Sequence, residues 1–206
     1  RNVNPGVKVT LEHGGTAATV VDKIANLEIA IPSIVKGAFY HAGQVCVSTQ
    51  IVYVHSDIYA EFKNKTITAI SQLKTGDPTK EYTDVGPVIR EEVLDKMEKF
   101  IQDAIKNGGK LLLGGKRLAH QCFEPTLIEN ATSNMLVYKE EVFGPILSMI
   151  KYEDINNVIN EINSSKFAFQ TSIFTQDIDL ALHYARKIEQ KACMINENTA
   201  FRVDWM

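Results

Sequence analysis

Cysteine is scarce here: the chain holds three in 206 residues, Cys46, Cys122 and Cys193, scattered far apart. That is too few for a disulfide framework or a cysteine-rich zinc site, and it fits a reducing, cytoplasmic setting. Charge of one sign is also lacking. The 22 basic residues are interspersed with 25 acidic ones, a net charge of −3, so no electrostatic footprint for nucleic acid is present. No apolar stretch approaches the roughly 18 residues that a membrane span needs. The richest piece, Ile29 to Tyr40, is broken by Pro32, Ser33, Lys36 and Gly37. The five histidines show no metal-ligand spacing, and no G-x-G-x-x-G phosphate loop occurs. The N-terminus carries no apolar leader and the C-terminus no lipidation motif.

What remains is ordinary globular composition, 45 % apolar and 23 % charged, in a chain long enough for one full core. Short apolar runs alternate with amphipathic segments. Strands are expected at Val7 to Leu11, Gln50 to His55, Lys110 to Leu113, Pro125 to Ile128, Ile146 to Tyr152, Thr171 to Thr175 and Ala192 to Asn196. Helices are expected at Leu27 to Tyr40, from a Ser56–Asp57 cap to about Leu73, Glu91 to Asn107, Asp154 to Asn163 and Asp177 to Ile188. Such alternation predicts an α/β fold: a largely parallel open sheet with helices on both faces. In open α/β sheets the chemistry gathers at the C-terminal strand ends, which directs attention to Glu12 and Asn196.

Three stretches could carry chemistry. Cys46 sits in "GQVCVS", between a glycine-terminated helix and a strand, where a loop can present a thiolate. A lone cysteine also serves as a small buried hydrophobe, and that is the reading for Cys122 and Cys193. Glu12 in "LEHGG" could be a general base for water or could cap a turn. In "KEEVFGPI" one carboxylate could accept from sugar hydroxyls while Phe143 packs on a flat ring, or the stretch could be a turn into a strand.

The order and spacing of the motifs are more specific than any one of them. "VTLEHGG", "GQVC", "TDVGPVI", "LLLGGKR", "EPT", "EEVFGPI", "IFTQDID" and "MIN" together resemble the aldehyde dehydrogenase superfamily over essentially the whole chain. The resemblance implies a catalytic domain in which Cys46 is the nucleophile and Glu12 activates the hydrolytic water. It implies NAD or NADP as cofactor, with Glu141 holding the nicotinamide ribose, Phe143 beside it and Gly14 and Gly43 shaping the backbone. Asn196 matches the asparagine that closes the last core strand, and Arg202 is a candidate for an anionic substrate tail. The chain departs from the family pattern at His13, where leucine is usual, and at Ala168, where glycine is common. The family's subunit is more than twice as long, so residues 1–15 are expected to join a cofactor domain and residues 16–206 to form the catalytic domain of a longer enzyme. The flanking "FYHAGQVCVS" and "NTAFRVDWM" are similar to the branch acting on lactaldehyde-like and phosphonoacetaldehyde-like substrates. The full-length enzyme is expected to be a cytoplasmic homodimer or homotetramer acting on a small aldehyde, with no nucleic acid or membrane partner. Two other classes remain open: a cysteine-dependent acyl hydrolase using His41 or His13, and a truncated domain that serves only assembly.

Overall fold

The computed structural model describes residues 6–8, 14–165 and 169–199. Strand β1 is Ala17–Val21, and helix α1, Leu27–Phe39, follows it. Strand β2, Thr49–His55, leads into α2, Tyr59–Ser71. After a long loop come α3, Glu91–Lys106, then β3, Lys110–Leu113, and β4, Thr126–Glu129. The short α4, Leu136–Lys139, precedes β5, Ile146–Tyr152. The chain continues through α5, Ile155–Asn163, β6, Gln170–Phe174, α6, Ile178–Lys187, and β7, Ala192–Ile195.

Among the described residues seven strands form one sheet in the order β3-β4-β5-β2-β1-β6-β7, parallel throughout except for β3 against β4. Side chains alternate across β2 and decide which layer each feeds. Val52 and Val54 join the core under α1, α2 and α3, with Ile34, Phe62 and Met97. Ile51 and Tyr53 face the other way, into the core under α5 and α6, with Ile159 and Tyr184. Helices therefore cover both faces, as the alternation of segments predicts. Both faces of β1 are buried as well, and its one polar side chain, Thr19, meets the Ser172 hydroxyl of β6 at 2.7 Å.

Three local differences have physical causes. Strand β1, "AATVV", goes unpredicted because its small alanines and a threonine give no β-branched run long enough to register. The start of α2 is delayed: Ser56–Ile58 form a 3-10 turn, capped by the His55 ring accepting from the Asp57 amide, and α2 opens at Tyr59. The four-residue α4 is too short for helical periodicity to show. Of the strand expected at Val7 to Leu11, residues 9–11 lie outside the described residues, and Val7 and Lys8 are not in a strand.

Candidate active site

Three loops lie side by side because their strands do. In the order β5-β2-β1, Phe143 is three residues upstream of Ile146, Cys46 three upstream of Thr49, and Gly14 three upstream of Ala17. Ala17 and Thr49 are paired across β1 and β2, so the Gly14 and Cys46 segments start from one level of the sheet. All three loops enter the N-terminal ends of the strands. The strand-end expectation pointed to the C-terminal ends, whereas these connections arrive at the parallel strands.

The backbone before Cys46 is unusual. Helix α1 ends at Phe39, and His41 (φ 51°, ψ 30°) and Ala42 (φ 55°, ψ 33°) then turn left-handed. Gly43 continues in the same hand at φ 69°. Left-handed residues other than glycine cost about 1–2 kcal/mol each, and a run of them persists only where the surroundings enforce it. Gly43 is required there: an added Cβ would lie 2.2 Å from the Gly144 carbonyl oxygen. Gln44 ties the turn to its neighbours, its side chain donating to the His41 carbonyl and accepting from the Ile89 amide. A β-turn closed by the Ser48 amide on the Val45 carbonyl, 2.9 Å, then carries Cys46 at its first central position. The sulfur-bearing residue is half-buried.

Glu141 is held from several sides. Its Oε1 accepts from the Gly15 amide at 3.1 Å, and a Cβ on Gly14 would sit 2.1 Å from its Oε2. Glycine at 14 therefore makes room for the carboxylate. Lys96 donates to the Glu141 carbonyl at 2.6 Å. Phe143 adopts a left-handed φ of 55° and leaves its ring 39 % exposed at the mouth. A crevice lined by Gly15, Gly43, Val45, Thr49, Glu141 and Phe143 joins the three loops. Ser48 Oγ, also on this wall, is buried without a hydrogen-bond partner among the described residues. The crevice holds only about 10 Å³, the room of about one water molecule, so it marks where the three loops meet, with the Glu141 carboxylate and the exposed Phe143 ring at its edge.

The other two thiols differ from Cys46 in setting. Cys122 is buried, and burial raises its pKa. Cys193, in β7, is pushed up to about 11 by burial. Both stay protonated at neutral pH, as core filler requires. His41 is exposed and, among the described residues, bonds to no carboxylate; its ring only meets Tyr40, 5.1 Å away. A Cys–His–acid relay on His41 lacks its third group.

The structure brings Gly14, Gly43, Glu141 and Phe143 together, sets Cys46 on the adjoining turn, and leaves Asn196 apart. Asn196 follows β7 at the opposite end of the sheet, where its Oδ1 accepts from the Thr175 amide at 3.0 Å. That bond ties Asn196 to the end of β6, away from the Cys46 turn. Glu12, His13, Ala168 and Arg202 lie outside the described residues. The sequence reading missed Gln50, whose side chain bonds to the segment carrying Glu141. It also missed Thr199, which meets Thr49 at 2.8 Å and brings the last described residues to the foot of the Cys46 turn. Gln50 had a signal: it is the lone amide in "TQIVYVH", at a position that a buried strand fills with an apolar residue. No group of three or more His, Cys, Asp or Glu side chains among the described residues could hold a metal. No helix among them is long and apolar enough to cross a membrane.

Residues 2–206 match the aldehyde dehydrogenase family. A 3-sulfolactaldehyde dehydrogenase from Priestia aryabhattai is 40 % identical over 199 residues, covering 97 % of this chain and 42 % of the relative. A lactaldehyde dehydrogenase from Methanococcus aeolicus is 36 % identical with the same coverage. Among solved structures, a glyceraldehyde-3-phosphate dehydrogenase from Methanocaldococcus jannaschii complexed with NADP superposes with a TM-score of 0.89. It is 36 % identical, and the match covers 94 % of this chain and 42 % of that one. The chain thus spans about two-fifths of the length of these relatives.

Proposed function

This chain belongs to the aldehyde dehydrogenase family, and we propose that it supplies the catalytic half of an enzyme oxidising an aldehyde to a carboxylic acid with NAD or NADP. The observation that carries the reading is the convergence of the Cys46 turn, the Gly14–Gly15 backbone and the Glu141–Phe143 loop on one crevice. Cys46, as thiolate, adds to the aldehyde carbonyl and forms a thiohemiacetal. The Cys46 amide donates to the resulting oxyanion, with a second donor from outside this chain. A bound nicotinamide nucleotide supplies the acceptor for the hydride that leaves the thiohemiacetal carbon. Cys46 then carries the acyl group as a thioester. Glu12 takes a proton from water, the hydroxide attacks the thioester carbonyl, and the acid departs as the thiolate re-forms.

Glu141 and Phe143 orient the nucleotide: the carboxylate accepts from ribose hydroxyls and the ring lies against the base. Gly14 keeps room for that carboxylate. The substrate is a short polar aldehyde, a reading supported by the sulfolactaldehyde and lactaldehyde dehydrogenases among the relatives. Arg202 is the candidate to receive an anionic tail. Residues 1–15 join a cofactor domain, residues 16–206 form the catalytic domain, and the full-length enzyme works in the cytoplasm as a homodimer or homotetramer. The isolated chain, with most adenine and phosphate contacts outside it, turns over little or nothing.

The test is nicotinamide reduction by the complete protein with a panel of short aldehydes, beside a Cys46→Ala control. We expect the control to lose at least about a thousand-fold in kcat/KM, as removal of a covalent nucleophile does. Acid formed without nucleotide would replace this reading with the acyl hydrolase. Silence in both proteins, with Cys46 no more readily alkylated than Cys122, would leave an assembly role.

A further inference from the structure

Gln50 is 5 % exposed and spends its whole side-chain amide on one neighbouring segment. Its Nε2 donates to the Val137 carbonyl at 2.8 Å and to the Glu140 carbonyl at 2.9 Å. Its Oε1 accepts from the Val142 amide at 2.9 Å. Those last two groups are the peptides on either side of Glu141. With Lys96 on the Glu141 carbonyl, three successive residues of the segment are pinned. Only a primary amide offers two donors and an acceptor at one side-chain end, so no other residue of this length can serve both carbonyls and the N–H. Gln50 also stands second in β2, four residues after Cys46, and so shares the rigid strand that follows the Cys46 turn.

We propose that Gln50 is a positioning residue that fixes the Glu141 carboxylate relative to Cys46, so that a ribose held by Glu141 presents its attached ring to the carbon bound at sulfur. This rests on the dehydrogenase reading of the site. The clamp itself stands on geometry alone, and the two can fail separately. Without the amide, two carbonyls and one N–H lose their partners inside the protein, and the 140–143 peptides rearrange to find others. The Glu141 side chain moves with them, away from the Gly15 amide. Cys46 stays on its own turn, to which the Gln50 side chain makes no hydrogen bond among the described residues.

The experiment compares Gln50→Leu and Gln50→Glu in the complete protein with the unsubstituted form. Leucine removes all three bonds; glutamate keeps the acceptor for Val142 and loses both donors. Amide hydrogen exchange over residues 137–144 reads the clamp without any nucleotide. We expect protection there to fall about tenfold in Gln50→Leu and less in Gln50→Glu, with the β2 and α1 amides unchanged. Initial rates then read the positioning: nucleotide KM rises about tenfold, aldehyde KM holds, and alkylation of Cys46 keeps its rate. If Gln50→Leu fails to fold, Gln50→Glu carries both readouts. Wild-type protection over 137–144 in a folded variant would overturn the clamp. Lost protection with an unchanged nucleotide KM would overturn the positioning role and leave a structural one. Should the unsubstituted protein reduce no nucleotide, the dehydrogenase reading fails with it, and the positioning role falls, while exchange still decides the clamp.

Discussion

The two ends of the parallel sheet turn the chain with different residues. At the C-terminal end, left-handed φ values fall on Asn130 after β4 and Asn196 after β7. Asparagine tolerates that conformation and bonds locally, and Asn196 does so with the Thr175 amide. The same end buries Asp22, whose Oδ2 accepts from the Thr175 hydroxyl at 2.8 Å, and uses Asn26, Asp154 and Asp177 to cap α1, α5 and α6. At the N-terminal end the left-handed residues include His41, Ala42 and Phe143, and His120 and Gln121 in the loop entering β4, with Gly43 between two backbones and a Ser48 hydroxyl that has no hydrogen-bond partner among the described residues. One end satisfies its backbone with the cheapest residues; the other holds strain in residues chosen for something else. Strain of this kind collects where geometry serves a ligand, and it marks the end that carries Cys46.

The contrast is tested most severely at Gly43. An alanine there would meet both the left-handed φ and the Gly144 carbonyl 2.2 Å away, with no flexible side chain to give. Gly43→Ala should cost about 3 kcal/mol or more in chemical denaturation, and Cys46 should lose its selective alkylation. A loss under about 1 kcal/mol would mean that the turn relaxes freely and holds no enforced shape. At the other end, Asp22→Ala removes the acceptor of the Thr175 hydroxyl in a buried setting. It should cost about 2 kcal/mol and leave Cys46 reactivity untouched. Reactivity that follows Asp22 would couple the two ends and dissolve the comparison.

Much of this was legible in the sequence, and the rest was not for identifiable reasons. Helix α3 and strands β3 and β5 lie where their apolar periodicity and their flanking glycines and prolines place them. The motifs "GQVC" and "EEVFGPI" marked Cys46, Glu141 and Phe143; the fold brings Glu141 and Phe143 to one crevice, with Val45 and Ser48 of the Cys46 turn on its wall. The strand-end rule pointed to the other end of the sheet because it speaks of connections leaving strands, and these loops enter them. Gln50 was passed over because a single amide in an apolar strand shows its partners only once α4 and its neighbours are folded against β2. Asn196 illustrates the converse: a motif match placed it correctly after the last strand, and only the fold revealed which end of the sheet that is.

The smallest predicted effect is also the one that separates the ends most cleanly, because the same substitution is expected to change sign. His41 is exposed, left-handed at φ 51°, and makes no side-chain hydrogen bond among the described residues. His41→Gly removes a Cβ from a conformation that penalises it and should stabilise the chain by about 0.5–1 kcal/mol, net of glycine's larger unfolded-state entropy. Asn196→Gly relieves less, since asparagine accepts φ 56°, and it forfeits the bond to the Thr175 amide. That amide loses its acceptor at a part-buried site, so the substitution should destabilise by about 1 kcal/mol. Parallel denaturation curves of the two variants measure both signs. Two destabilised proteins would show that the His41 side chain supports its turn through packing; two stabilised ones would show that the Asn196 bond is as dispensable as the His41 ring.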